Sequence, residues 1–307
     1  MKTYVMIPTY NERENIENLI REILNLKIPD LHIVVVDDNS PDGTSEAVKK
    51  ASKEHPEVEL LLRITERGRG SAGIAGFKYA LDHGADSVVE MDADFSHHPK
   101  YIPRLLEALQ DADLVIGSRF TRGGEDVNRG IARRVITLLA GIYVRVLLGL
   151  QIKDVSSGYR CFKRKVLEAI ELDSMISTGP SIVSEVFYRA HLKGFSIKEI
   201  PIKFEDRTRG QTKLNYKILV KTLLMVLKFK RLNKKGLLFK LSPKQTACVA
   251  IAPVYSDLTK GRNLGYIWHK YYITQQSRNQ KSSTTKNTKF YTKVTKKTLQ
   301  KKDVFVE

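Results

Sequence analysis

The sequence predicts an α/β fold, a mostly parallel sheet flanked by helices, with a basic C-terminal extension. Three observations lead there. Short strands rich in Val, Ile and Leu alternate with segments of helical period. Proline, acidic and basic residues gather where those strands end. Charge is balanced as in an ordinary globular domain until about residue 233, after which Lys and Arg dominate.

Taken in order, "TYVMIP" is a strand closing at Pro8. In "ERENIENLIREILNL", Ile16, Leu19, Ile20, Ile23 and Leu24 share one helical face. Asn11, with Glu14 three residues on, has the spacing of a capping box before that helix. "LHIVVVDDNSPDG" is an apolar strand running into turn residues, and "TSEAVKKASKEH" is a second helix. "VELLLRI", "SAGIAGFKYALDHG" and "DSVVEMDAD" give strand, helix and strand; "PKYIPRLLEALQ" and "DLVIGSRF" continue the alternation. Residues 120–175 read as mainly helical and basic. "FSIKEIPIKFEDR" supplies further strand near residue 200, and "LNYKILVKTLLMVLKFKRL" is a basic amphipathic helix. In "SSTTKNTKFYTKVTKKTLQKK" neither period survives. The division is thus a folded domain over 1–232 and a basic tail over 233–307, with no internal repeat.

The 307 residues carry a formal charge of +18, of which +13 lies in residues 234–307. Such a tail suits anionic lipid, nucleic acid or plain solvation. No aromatic–basic RNA-binding motif accompanies it, so no nucleic-acid partner is expected. Cys161 and Cys248 match no metal spacing, and no secretory signal precedes the first strand; a reducing cytoplasm is the expected setting. No apolar run reaches the ~18 residues of a membrane span. "VITLLAGIYVRVLLGL" is interrupted by Arg145 and "ILVKTLLMVLKF" by Lys221, so both suit lying on a membrane or packing on a core.

Ligands of open parallel sheets sit beyond the carboxyl ends of the strands. Pro8, Asp37, Asp38, Asp92, Asp94 and Arg119 all fall there. The tyrosine and acidic residues of "PTYNERENI" suit a base and ribose, or serve only the helix start. In "VVVDDNSPDGT" two adjacent carboxylates repel if both are buried, so one, Asp38 before Asp37, is expected to face solvent or a ligand. The alternative is a turn and nothing more. In "MDADFSHHP" the Asp-x-Asp spacing aims two carboxylates at one volume, where a divalent cation would neutralise a departing diphosphate. Pro99 and Lys100 begin a helix, so Ser96, His97 and His98 read as its entry turn rather than as ligands. Arg119, Arg133, Arg134, Arg207 and Lys213 are separated cations. Gly210 between cations in "RTRGQTKLNY" has the make-up of a phosphate-holding lid.

Together "PTYNERENI", "VVDDNSPDGT", "GSAGIAGFKYAL", "MDADFSHHPKYIP", "GSRF", "DVSSGYRCF" and "EIPIKFEDRTRGQTKL" resemble the family 2 glycosyltransferases of GT-A fold, in particular the dolichyl-phosphate (polyprenyl-phosphate) mannose synthases. The motifs span roughly residues 3–215, about two thirds of the chain. The resemblance implies mannose transfer from GDP-mannose to a polyprenyl monophosphate, with inversion, at the cytoplasmic face of a membrane. It implies Pro8, Tyr10, Glu12, Val36 and Asp38 around the nucleoside. Asp92, Ala93 and Asp94 would surround Mg²⁺ or Mn²⁺ and the diphosphate; Arg119, Arg133, Arg207 and Lys213 would meet donor or acceptor phosphates. Thr137 would stand near the acceptor phosphate, and Glu185 matches a glutamate of the family's "ME"-type motif. Two departures stand out: "GQTKL" for the usual "GESKL", and "TGPSIVSEVF" for the commoner "GYxFQxEM". UDP-glucose or UDP-N-acetylglucosamine is the alternative donor, and nucleic-acid binding through the tail the distant alternative.

Overall fold

A computed structural model describes residues 1–65, 67–127, 130–205 and 216–240. Arg207, Lys213 and the tail from residue 241 lie outside the described residues. The chain divides into a unit of Met1–Ala247 and one of Cys248–Glu307; every described residue belongs to the first.

The predicted alternation is present. β1 (Thr3–Thr9), α1 (Arg13–Leu24), β2 (Leu31–Asp37), α2 (Thr44–Glu54) and β3 (Val58–Leu62) come first. α3 (Arg69–Asp82), β4 (Ser87–Glu90), α4 (Ile102–Ala108) and β5 (Leu114–Ser118) follow. Residues 120–175, expected to be mainly helical, instead hold β6 (Glu125–Val127), α5 (Ile131–Leu148), β7 (Arg160–Lys163) and α6 (Arg164–Ala169). α7 (Ile182–Leu192), β8 (Ile197–Pro201), β9 (Lys203–Glu205) and α8 (Tyr216–Lys234) complete the order.

Seven strands form one sheet in the order β3-β2-β1-β4-β7-β5-β8, and β6 pairs with β9 in a small second sheet. All pairings in the large sheet are parallel except those of β7, which runs antiparallel to both β4 and β5. "RCFK" is too short and too polar to announce a strand; it becomes one because β4 and β5 offer it two facing edges.

Alternation along each strand divides the core. Val5, Ile7, Ile33, Val35, Val89, Val115 and Cys161 point to one face, where α1, α2 and α4 cover them. Tyr4, Met6, Val34, Val36, Val88, Leu114, Ile116 and Phe162 point to the other, under α3, α5, α6, α7 and α8. α3 lies unusually close to the sheet. A Cβ at Gly76 would stand 2.4 Å from Met6 Cγ and 2.9 Å from Val36 Cγ2, which is why glycine stands there. The packed core continues past residue 232, since Leu238 is buried in it.

The strand order reverses between β1 and β4, and the crevice outside their carboxyl ends is where such sheets bind ligands. Tyr10 follows β1 and Asp92 follows β4, so the "PTYNERENI" and "MDADFSHHP" stretches flank that crevice.

Candidate active site at the strand ends

Four sequence segments meet at the crevice, and each is held by its neighbours. Asn11, expected to cap α1, instead adopts a left-handed conformation (φ 60°) and makes no side-chain cap. The loop after β2 caps α1 in its place. Ser40 Oγ, Thr44 Oγ1 and Asp42 Oδ2 accept from the backbone N–H groups of Asn11, Glu12 and Arg13, each at 3.0 Å. This ties "PTYNER" to "DDNSPDGT" at the ends of the first two strands.

Both members of the Asp37–Asp38 pair are buried, so of the two expected surroundings, solvent or a ligand, neither carboxylate takes the first. The repulsion is answered by donors. Asp37 accepts from Thr9 Oγ1 at 2.8 Å, Ser40 N and Oγ at 2.9 and 2.6 Å, and Ser45 Oγ at 2.6 Å. Asp38 accepts from Arg63 Nη1 and Gly68 N, both at 2.7 Å. Arg63 continues to Ser71 Oγ at 2.8 Å. Asp37 is thus a turn anchor, and Asp38 fastens the segment leading into α3.

The Asp-x-Asp element sits at the bottom of the crevice. Arg69, the first residue of α3, donates to Asp92 Oδ1 through Nη2 at 2.6 Å and Nε at 3.2 Å. Asp94 Oδ1 accepts from Ser96 N at 3.1 Å and Ser96 Oγ at 2.6 Å. His97 Nδ1 accepts from the Asp92 backbone N–H at 3.1 Å, and His98 Nδ1 accepts from Lys100 N at 3.2 Å. Both histidines therefore shape the entry turn, as the sequence suggested. Burial pulls the His97 ring below the usual histidine pKa, outweighing the opposite pull of Asp92 and Asp94.

Arg119 is positioned from below. Its Nε and Nη2 donate to Asp154 Oδ2 and Oδ1 at 2.8 and 2.7 Å, a bidentate fork, and Nη2 also reaches Ser156 Oγ at 2.6 Å. Burial pushes the Asp154 carboxyl up, but Arg119's hydrogen bonds and charge outweigh it and hold the group below its usual value. Phe204 of β9 lies over the Arg119 guanidinium at 4.9 Å and meets the His97 ring edge-on at 5.7 Å.

Arg69, Asp92, His97, Arg119 and Phe204 line one cavity of about 350 Å³. Ser156 joins Asp92, Arg69 and Arg119 in its polar lining; Ile136, Ala140 and Val144 of α5 and Leu219 and Leu223 of α8 supply apolar lining, and Thr137 also lines it. Arg133 stands one helical turn before Thr137 and its carbonyl accepts from Thr137 Oγ1 at 2.9 Å.

The other expected site residues divide. Pro8, the next-to-last residue of β1, lies opposite Val36, and Tyr10 is exposed at 47% with the Arg67 guanidinium 5.4 Å from its ring centroid. Glu12 Oε2 accepts from Asn15 Nδ2 at 2.9 Å. Val36 and Ala93 are buried in the two cores. Glu185, fully buried, lies under the loop over residues 175–178. Arg69, Asp154 and Gly158 were not singled out by the sequence reading. Asp154 and Gly158 lay inside the quoted "DVSSGYRCF", and Arg69 directly precedes "GSAGIAGFKYAL"; no spacing rule links either to "MDAD".

The chemistry of the donor set fits a hard divalent cation held in part by a substrate. Asp92 and Asp94 offer carboxylate oxygens, and among the described residues no cluster of three or more His, Cys, Asp or Glu side chains is placed to hold a metal. A two-carboxylate set leaves coordination to be filled by phosphate oxygens and water, the usual habit of Mg²⁺ and of Mn²⁺.

Residues 4–171 match the family described as "Glycosyl transferase family 2". The chain is 41% identical over 215 residues to an undecaprenyl-phosphate mannosyltransferase of Micrococcus luteus, covering 70% of this chain and 88% of that protein. It is 42% identical over 216 residues to a polyprenol monophosphomannose synthase of Mycolicibacterium smegmatis, covering 70% and 81%. Among solved structures, glucosyl-3-phosphoglycerate synthase from Mycobacterium tuberculosis, in complex with Mn²⁺, UDP and phosphoglyceric acid, superposes with a TM-score of 0.56. That match has 19% identity and covers 77% of this chain and 79% of that one; it shows the fold, a GT-A-type sheet with flanking helices. The chain belongs to glycosyl transferase family 2.

Proposed function

We propose that this glycosyltransferase moves mannose from GDP-mannose to a polyprenyl monophosphate, with inversion at the anomeric carbon. The observation that carries the reading is one cavity lined both by the charged side chains of Asp92, Arg69 and Arg119 and by apolar side chains of α5 and α8. A lipid phosphate has that polarity. The names of the relatives at 41–42% identity support the same acceptor and sugar.

The nucleoside half of the donor meets the β1 and β2 ends, with Tyr10 as stacking surface and Asp38 as acceptor for base or ribose hydrogens. Each Asp38 oxygen keeps a lone pair beyond those used by Arg63 and Gly68. Asp92 and Asp94 would hold Mg²⁺ or Mn²⁺, which would supply charge to offset that building on the departing diphosphate. A phosphate monoester has a second pKa of about 6 and attacks already ionised, so no general base is required. The task left to the protein is to bring two anions together. Arg119, oriented by Asp154 and Ser156, meets that need from inside the cavity. Arg133, Thr137, Arg207 and Lys213 are proposed to hold the phosphates on the acceptor side and from the lid.

The test is a donor panel. Purified protein with Mg²⁺ or Mn²⁺ and a polyprenyl phosphate is incubated with labelled GDP-mannose, UDP-glucose and UDP-N-acetylglucosamine. Lipid-extractable label from GDP-mannose alone is expected; preferential use of a UDP-sugar would replace the proposed donor.

We further propose that α5 and α8 bring the site to an anionic membrane surface at the cytoplasmic face. No described helix is long and apolar enough to cross a membrane. Yet Ile131, Leu139 and Val146 of α5 and Leu224 of α8 are 80, 61, 77 and 60% exposed, on the helices whose inner sides line the cavity. Arg134, Lys217 and Lys221 are exposed on the same two helices. Apolar side chains entering the acyl boundary beside cations on the headgroups is how an interfacial helix binds. The full chain is expected to float with phosphatidylglycerol vesicles, and L139E combined with L224E is expected to abolish flotation. Unimpaired flotation of that variant would assign membrane binding to the basic tail instead.

A further inference from the structure

The Asp92 carboxylate is already matched to a cation of the protein's own. Arg69 places two donors on Oδ1, at 2.6 and 3.2 Å, and the pair is about 29% exposed on each side. The contact is built in from several directions. Gly68 N is fastened to Asp38, which fixes where α3 begins and so where Arg69 starts. Gly70 packs against the Thr178 backbone, where a Cβ would stand 2.8 Å from the carbonyl carbon. A Cβ at Gly158 would lie 2.4 Å from Arg69 Nη2, so glycine there leaves the guanidinium its place. Below, Glu90 adds negative charge toward Arg69 but is itself bound to the buried Arg160.

We propose that Arg69 is a positioning residue that competes with the divalent cation for Asp92, so that the metal binds well only together with the nucleotide-sugar. The proposal rests on the reading of Asp92 as a metal ligand and deepens it. A cation arriving alone must either displace the guanidinium from Oδ1 or share the carboxylate with it through Oδ2, and two cations on one carboxylate repel. The donor brings two phosphates, whose negative charge offers Arg69 a new partner within the cavity it lines. Metal and donor are thereby coupled: each lowers the cost of the other's entry, and the coupling is reciprocal. A site arranged in this way discriminates against free cation and keeps Asp92 oriented before substrate arrives.

The test reads metal binding directly, without turnover. Mn²⁺ alone is titrated into the full-length protein, and free ion is followed by electron paramagnetic resonance, for wild type, R69Q, R69K and D92N. R69Q is expected to bind Mn²⁺ about tenfold more tightly than wild type in the absence of nucleotide, with R69K between them. Repeated with GDP, the advantage of R69Q is expected to shrink or reverse. Equal or weaker binding of Mn²⁺ alone by folded R69Q would overturn the competition, and so would a nucleotide effect identical in wild type and R69Q. D92N separates the two readings: if it binds Mn²⁺ as wild type does, Asp92 is not the ligand, and the metal assignment falls with the proposal.

Discussion

D92A is expected to lower kcat by about 10³-fold at saturating metal and donor, while the fold is retained. A charge-stabilising contact made mainly in the transition state costs 10²–10³-fold when removed, and each tenfold corresponds to about 1.4 kcal/mol. Asp92 sits at the high end because two functions are lost together. Its carboxylate is proposed to hold the cation that offsets the departing diphosphate, and it accepts both hydrogen bonds that Arg69 makes in the cavity. D92A frees Arg69 but leaves it near the negative charges of Glu90 and Asp94, so stability should change little. Steady-state turnover with labelled donor checks the first part, and a thermal melt the second. Turnover of D92A within a few-fold of wild type would remove Asp92 from the chemistry.

The second large effect is on stability. E185A is expected to destabilise the protein by about 3–5 kcal/mol, the cost of stranding a buried charge. Glu185 and Arg189 are fully buried, one helical turn apart on α7. The glutamate accepts from Arg189 Nε at 3.0 Å, from Ile176 N at 3.0 Å and from Ser177 N at 2.9 Å. Arg189 in turn donates to the carbonyls of Ile170, Ser174 and Leu238 at 3.1, 2.7 and 2.9 Å. Removing the carboxylate leaves a desolvated guanidinium and two N–H groups without their acceptor. E185Q keeps an acceptor oxygen and most of the volume, so its loss should be smaller. Urea midpoints at constant m-value measure both, and a loss below about 1 kcal/mol for E185A would contradict the account.

Glu185 also touches the chemistry at a distance. The loop it braces over residues 176–177 leads into Thr178, whose carbonyl accepts from Gly70 N at 3.3 Å. The next residue back is Arg69, on Asp92. The glutamate therefore acts as a brace for α3 and the Asp-x-Asp element rather than as a group facing substrate.

What the sequence determined by itself was the part that depends on local pattern. Apolar strands and helical periods gave the order of the α/β elements. Strand ends located Pro8, Asp38, Asp92 and Arg119, because open parallel sheets leave their ligand crevice there. The entry turn at Ser96–His98 was legible because Pro99 fixes a helix start within a few residues of it. The tertiary structure decided what depends on partners far along the chain. β7 is a strand because Glu90 and Ile116 lie opposite Arg160 on its two sides, 70 and 44 residues away. Asp37 and Asp38 are both buried because hydroxyls, backbone and Arg63 converge on them, an answer to repulsion that no pair of adjacent letters contains. Arg69 reaches Asp92 because Gly68 fastens its segment to Asp38, Gly70 packs on the Thr178 backbone, and Gly158, 89 residues on, leaves the guanidinium its space. Periodicity records which face of an element is buried; only the packed sheet decides which charges end up facing one another.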